Sequence, residues 1–341
     1  MAATLWSGTN ATNNVSNAVN SVSFQPNFVW IKSRNDTQYH ILYDSIRGAG
    51  TTSSLLLPLT DGEGVQGALY GYLSAFASNG LTLTPGSISS VWVNATGTNY
   101  VGWQWKAGGT AVSNTAGSIT SSVSANTTAG FSVVTYTGTG ANATVGHGLG
   151  VAPAMIIAKK RNNPSNWMVY NSGISNMSAG YITLNFDNAF ALASTVWNST
   201  APAASVFSLG SDSNINGSGL TNVAYCWAPV AGYSAFGSYA GNSSADGPFI
   251  YTGFRPRFVM IKCSSDAVTP WMIWDSSRDT YNPEAARLVP NTSDAEVSAS
   301  IGDFVSNGIK IRQTGTSYNA TGSTYIYAAF AENPLKYANA R

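Results

Sequence analysis

Charge is what this chain has least of. Only 9% of its 341 residues are Asp, Glu, Lys or Arg, against about 25% in an ordinary soluble domain. Sixteen basic and fifteen acidic residues leave a formal charge of +1, so no steering field surrounds the protein. Nucleic-acid binding rests on phosphate neutralisation by Lys and Arg, and this composition excludes it as a main function. Histidine is nearly missing too: there is His40, and His147 inside the glycine-rich turn Val145-Gly-His-Gly-Leu-Gly150, where it reads as a turn residue. The two cysteines, Cys226 and Cys263, belong to no CxxC or Cys/His cluster, so zinc is not supported. They read as unpaired strand thiols of a protein folded in a reducing cytoplasm, with a disulfide between them as the alternative. No apolar run approaches the roughly 18 residues of a membrane helix, so no membrane insertion is expected. Met1-Ala-Ala-Thr-Leu-Trp-Ser-Gly8 shows neither region of a signal peptide. A Gly-x-Ser-x-Gly elbow, a His-Glu-x-x-His pair and a P-loop are all lacking. Gly138-Thr-Gly140 lies between strand-like runs and is too short a signal for a nucleotide, so no cofactor is expected.

Hydrophobic residues, at 44%, are ample for real cores, and the surface must be covered by Ser, Thr, Asn and Gly. The Asn-X-Ser/Thr triplets, such as Asn142-Ala-Thr, read as turn residues, since glycosylation would need a secretory context. The strongest pattern is repetition. Pro26-Asn-Phe-Val-Trp-Ile-Lys32, Pro153-Ala-Met-Ile-Ile-Ala-Lys159 and Pro256-Arg-Phe-Val-Met-Ile-Lys262 each place a lysine six residues after a proline. An aromatic, an Asp or Asn, and a serine follow: Tyr43-Asp-Ser45, Tyr170-Asn-Ser172 and Trp274-Asp-Ser276. An aromatic strand then closes each copy at Trp105, Trp227 or Phe330, at 79, 74 and 74 residues from its proline. Ordered landmarks at near-constant spacing indicate one module used three times.

Phe28-Val-Trp-Ile, Met155-Ile-Ile-Ala and Phe258-Val-Met-Ile are short continuous apolar runs, expected as strands buried on both faces. Asn79-Gly-Leu-Thr-Leu and Asn307-Gly-Ile-Lys-Ile predict a turn leading into a strand, because Asn and Gly accept positive φ cheaply. Phe249-Ile-Tyr-Thr predicts a strand ending at Gly253. No segment holds a 3.6-residue apolar period over three turns, and the best helical candidate is Pro283-Glu-Ala-Ala-Arg287. The expected class is therefore all-β: three homologous antiparallel β-sandwich modules in tandem. Their limits are residues 1–108, 109–229 and 230–341, the last two opening with a Gly/Ser-rich linker that packs as an edge strand. Residues 333–341 read as a short extended C-terminal tail.

Each conspicuous residue has a plain reading beside a functional one. Lys32, Lys159 and Lys262 could line a repeated ligand site, but read better as strand-end residues with packed stems and ammonium groups in water. Asp44 and Asp275 are followed three residues later by Arg47 and Arg278, whereas the second copy has Asn171 and Ile174. A catalytic carboxylate would not survive that exchange, so the position reads as a turn bonded to its own backbone, steadied by an Asp–Arg pair. Trp30, Trp103, Trp227, Trp271 and Phe330 read as core. Tyr233, Phe236, Tyr239 and Tyr318 fall in linkers or turns and are candidate exposed aromatics for a sugar or a protein partner. A glycosidase would need two carboxylates about 5–9.5 Å apart, for which Glu284, Asp294 and Glu296 are the nearest candidates.

Several longer strings carry a resemblance. Phe24-Gln-Pro-Asn-Phe-Val-Trp-Ile-Lys-Ser-Arg34, Tyr43-Asp-Ser-Ile-Arg-Gly48 and Tyr100-Val-Gly-Trp-Gln-Trp-Lys-Ala-Gly-Gly109 occur in the first third. Gly130-Phe-Ser-Val-Val-Thr-Tyr-Thr-Gly-Thr-Gly140, Gly148-Leu-Gly-Val-Ala-Pro153 and Tyr327-Ala-Ala-Phe-Ala-Glu-Asn-Pro-Leu-Lys336 follow. Together they resemble a β-rich module of virion structural and tail-fibre-like proteins of tailed bacteriophages, often marine or cyanobacterial. The second copy departs most, lacking the Asp-Ser-x-Arg and the Asn-Gly strand. The resemblance implies no catalytic residue. It implies a non-enzymatic virion component, folded in the host cytoplasm and partnered by other virion proteins as a homo-oligomer or symmetric assembly. A tail-fibre or tail-tip protein touching host-surface glycan is the favoured role. A capsid decoration protein is the alternative, and a glycan-degrading tailspike a minor one.

Overall fold

The computed structural model describes residues 1–19, 21–64 and 66–334. Its regular secondary structure is nearly all strand, arranged in several antiparallel sheets. Among the described residues the helical segments are Gly67–Tyr70, Met177–Ala179, Ser194–Trp197 and Ser213–Asn216.

Three main sheets share one strand order. In the first, the leading strand Ala2–Ser7 pairs with the closing strand Asn99–Trp105, then comes the lysine strand Phe28–Ser33, then His40–Asp44. The second repeats this with Phe131–Thr137, Thr221–Trp227, Met155–Lys160 and Met168–Asn171. The third uses Ser234–Ala240, Thr324–Ala331, Pro256–Cys263 and Met272–Asp275. Register is shared as well. Phe28, Met155 and Phe258 lie opposite Trp105, Trp227 and Phe330 on one side, and opposite Asp44, Asn171 and Asp275 on the other. Since a one-residue slip would exchange the faces of a strand, equal register gives corresponding residues the same face in all three sheets.

Pleating divides each lysine strand between two environments. Val29 and Ile31 point to an outer layer, where Leu73, Leu81 and Leu83 of the small sheet Asn13–Ser16, Gly80–Thr84 and Tyr72–Ala77 cover them. Val259 and Ile261 are covered in the same way by Phe304, Ile309 and Ile311. That third outer sheet runs Phe249–Tyr251, Gly308–Ile311, Val297–Val305, Glu284–Arg287. The opposite faces of the three main sheets turn toward one another and join in a single core. Trp105 stands at its centre, 5.9 Å from Trp227, 5.5 Å from Phe330 and 5.7 Å from Phe258 between ring centroids. The void at this meeting point is about 10 Å³, barely one water. The sheets therefore meet without a channel, and both faces of every lysine strand are buried, as its unbroken apolar run requires.

Some local expectations hold and others do not. Asn79-Gly80 and Asn307-Gly308 do turn into strands. Gly80 has φ +152°, and a Cβ there would sit 2.0 Å from the carbonyl oxygen of Val15, so no other residue fits. The first linker supplies the edge strand Val112–Asn114 of the second sheet and the strand Ser121–Asn126 next to it. The helix expected at Pro283–Arg287 is instead the strand Glu284–Arg287. Its burial alternates with period two, and pairing with Val297–Val305 overrides the helical bias of Glu-Ala-Ala-Arg. Of the expected tail 333–341, residues 335–341 lie outside the described residues.

Because Trp105 touches all three sheets, Trp105→Ala is expected to cost about 3–5 kcal/mol, the usual loss for truncating a buried indole. Chemical denaturation followed by tryptophan fluorescence and by far-ultraviolet dichroism checks this. The two probes should shift together, because the loss is shared by the whole core.

Candidate functional site

The repeated lysines are the most unusual feature, and the expectation that their ammonium groups reach water is not met: all three side chains are fully buried. Each ammonium donates to its own loop and to a carbonyl of the next sheet's territory. Lys32 Nζ reaches Ser33 O at 2.9 Å and Ser293 O at 3.3 Å. Lys159 Nζ reaches Ser165 O at 2.9 Å and Thr60 O at 2.7 Å. Lys262 Nζ reaches Cys263 O at 2.8 Å and Asp187 O at 3.2 Å. The first sheet thus bonds to the third, the second to the first and the third to the second, which closes a ring. Burial, the main cause, pulls Lys32 and Lys262 down to about 8 and Lys159 to about 7, where the neighbouring Lys160 ammonium adds to the shift.

A second donor repeats the same circuit. Trp167 Nε1 donates to Leu59 O at 3.1 Å and Trp271 Nε1 to Thr183 O at 2.7 Å. The corresponding residue of the first sheet, also four before its Asp, is His40. Its Nδ1 faces Trp30 Nε1 at 2.9 Å, and an indole nitrogen only donates, so Nδ1 accepts and the proton sits on Nε2. That proton goes to Val289 O at 3.1 Å. Burial holds the imidazole well below its ordinary range, with the charge of Lys32 in the same direction, so His40 serves as a neutral donor in a tryptophan's place. His147 is likewise buried, between the Leu149 amide and Ala203 O.

The Asp–Arg pairs hold their turns as expected and also do more. Asp44 Oδ1 accepts the amides of Ile46 and Arg47, Asp275 Oδ1 those of Ser277 and Arg278, and Asn171 Oδ1 that of Gly173. The second oxygen of each aspartate takes its own arginine, Arg47 or Arg278, and a donor from another sheet. Asp44 Oδ2 accepts Tyr225 Oη at 2.9 Å, and Asp275 Oδ2 accepts Trp103 Nε1 at 2.9 Å. Arg47 continues to Glu63, which Arg161 grips at 2.6 Å; Arg278 continues to Glu296, which Arg34 grips at 2.7 Å. Despite burial, those two guanidiniums keep the Glu296 carboxyl below its ordinary value. Two seams thus carry the same five-residue chain of donors and acceptors. In the third seam every member is neutral: Asn171 for Asp, Ile174 for Arg, Phe190 for Glu, Ser264 for Arg and Ala328 for the Trp or Tyr donor. The backbone bond survives the change, since Phe190 N reaches Ser264 O just as Glu63 N reaches Arg161 O. Removing one partner of a buried ion pair costs about 3–5 kcal/mol, whereas replacing the whole set with packed apolar groups can cost nothing.

The candidate exposed aromatics are corrected by the structure. Tyr233 and Phe236 flank Phe330 at 6.0 and 5.8 Å. Tyr239 stacks on Tyr325 at 4.9 Å and gives its hydroxyl to Tyr318 O at 2.7 Å. Tyr318 leans on Trp274 and accepts Arg287 Nη1. All four are half-buried: the first three lie on or next to the edge strand Ser234–Ala240, into which the second linker continues, and Tyr318 packs against Tyr239 and Trp274. Cys226 and Cys263 are both free and buried. Among the acids, Asp294 is exposed and Glu296 is held in its seam. Glu284 is enclosed with neither oxygen partnered, and the nearest guanidinium, that of Arg255, stands 3.9 Å away. An open hollow of about 870 Å³ lies past the ends of the closing strands, walled by Val22, Phe24, Val151, Val230 and Tyr233 with Lys106. Among the described residues no group of three or more His, Cys, Asp and Glu is placed to hold a metal ion, and no helix is long and apolar enough to cross a membrane.

The family model described as Domain of unknown function (DUF7483) matches residues 1–334. The chain belongs to that family. The matched residues include all three main sheets. No curated protein and no solved structure matches the chain.

Two outcomes follow from these seams. Asn171→Asp puts a carboxylate where neither an arginine nor an indole waits, and should destabilise the fold by about 3 kcal/mol. Adding Ile174→Arg and Ala328→Tyr should recover a large part of the loss in denaturant titrations. Burial pushes the Glu284 carboxyl up to about 8, the Arg255 guanidinium opposing and the Asp279 charge adding. The folded chain therefore keeps this proton while the unfolded chain loses it near 4.5, and stability falls as pH rises between these values. Glu284→Gln removes that slope, so its gain in melting temperature should be small at pH 5 and larger at pH 8.5.

Proposed function

We propose that this chain is a non-enzymatic structural component of a tailed-bacteriophage particle, displayed on its outside as a tail-fibre or tail-tip protein that contacts the host surface. The phage assignment rests on the sequence resemblance. The structural observation that carries the non-enzymatic reading is the use made of buried charge. Lys32, Lys159, Lys262, Asp44, Arg47, Asp275 and Arg278 all go to turns and seams, which leaves none of them to work on a substrate. The glycosidase reading loses its best carboxylates, since Glu284 is enclosed and Glu296 is bridged by two arginines. The protein would fold in the host cytoplasm, join other virion proteins and need no cofactor.

We further propose that the three main sheets, each with its outer layer, are copies of one sandwich module in tandem, spanning 1–108, 109–229 and 230–341. Their common strand order, equal registers and circular donor scheme support this. The same circular scheme favours a second reading, capsid decoration, because three alike sheets about one centre would suit a three-fold site on a capsid.

Quantitative mass spectrometry of purified virions against the major capsid protein tests both. A tail role predicts a ratio of a few per cent or less. A ratio matching the capsid protein or its three-fold sites makes the chain a decoration protein, and absence from the particle sinks both readings.

A further inference from the structure

We infer that the outer sheet of the third segment carries a platform for a neutral oligosaccharide, built on Phe249 and Tyr251. This rests on the host-contact reading and names its ligand class. The two residues lie two apart on the edge strand Phe249–Tyr251, on the face turned away from the core, while Ile250 between them is buried. Phe249 is 46% exposed and Tyr251 62% exposed, whereas Phe304 of the same sheet is buried. Glycine makes room for the Phe249 ring: a Cβ on Gly308 would lie 2.8 Å from it. That ring is thus held low over bare backbone.

The fold does not ask for these rings. In the first segment the strand at the same register is Asn13–Ser16. There Ser16 lies opposite Gly80 and Asn14 opposite Thr82, just as Tyr251 lies opposite Gly308 and Phe249 opposite Lys310. The same positions of the same outer sheet are therefore polar in one copy and aromatic in the other. Structural necessity would have produced the same kind of residue twice.

The surroundings favour a sugar. Lys310 and Asp303 share the face with Phe249 through direct register. Lys310 Nζ binds Asp246 at 2.7 Å, and Arg312 Nε binds Asp303 at 2.9 Å. Two bases are thus matched by two acids. The rim offers hydrogen-bond donors and acceptors but no net charge to attract an ionic ligand. Successive ring positions on one strand face are about 6.7 Å apart, suited to adjacent residues of a saccharide chain stacking on ring faces. Two rings on a three-residue strand are too small for a stable protein interface, which buries on the order of 800 Å² per partner.

The test uses the full chain and the double variant Phe249→Asn/Tyr251→Ser, which imports the residue pair that the first segment carries at these positions. An unchanged melting temperature shows that the variant is folded. Calorimetric titration uses neutral gluco-, manno-, galacto- and rhamno-oligosaccharides as probes, and adherence is scored on intact Gram-negative and cyanobacterial cells. Binding of a neutral oligosaccharide that weakens at least tenfold in the double variant supports the platform. Oligosaccharide binding that the variant leaves unchanged overturns it while host contact stands. Adherence to cells with no oligosaccharide binding also overturns it and points to a protein receptor. If neither cells nor sugars are bound, the platform and the host-contact reading fall together.

Discussion

An ammonium group removed from water has to be given acceptors in return. Three times in this chain a lysine at the end of a fully buried strand meets that demand by taking a carbonyl from the neighbouring sheet's territory. This requirement fixes how the sheets meet, because each lysine strand is satisfied only when another sheet's loop is in place. The apolar inner faces supply the drive to converge, with Trp105 and its neighbours excluding water from the centre. Hydrophobic burial is not directional, so it cannot choose one arrangement of three similar sheets. The lysines and the indole or imidazole donors beside them can.

The seams also show how buried charge is kept or dropped. Asp44 and Asp275 each sit in a complete set that holds two arginines, a glutamate and an aromatic donor from another sheet. Where the donor position is Ala328, Asn171 stands in the place of aspartate and the rest of the set is neutral as well. Asn171 holds its turn by bonding the Gly173 amide, so the local role needs the side-chain oxygen and not its charge. His40 shows the same economy at single-residue scale: it keeps the N–H that a tryptophan provides elsewhere.

Much of this architecture could be read from the chain itself. The apolar strands, the Asn-Gly turns and the three closing aromatics announced themselves through period and spacing, which local sequence determines. The strand Glu284–Arg287 did not, because its residues favour a helix and only its partner strand makes it extended. The seams were half legible. The Asp–Arg spacing of three was plain, but Glu63, Arg161, Arg34 and Glu296 lie far apart in sequence and meet only after the ring closes. An arginine two residues after Lys32 and Lys159, but not after Lys262, was the available hint. The lysine ammonium groups and the aromatics Tyr233, Phe236, Tyr239 and Tyr318 were misplaced for one reason. Polar linkers and strand ends look solvent-facing until a second sheet covers them.

The ring is closed within one polypeptide. A true trimer with these contacts would come apart on dilution, since its assembly is a meeting of separate molecules. Here each partner is tethered, and closing the ring faces an effective concentration on the order of millimolar set by the linkers, whatever the amount of protein present. Tethering also frees the three positions from identity. A homotrimer must change every seam and every outer sheet at once, whereas this chain can carry one neutral seam between two charged ones and a different outer surface on each third.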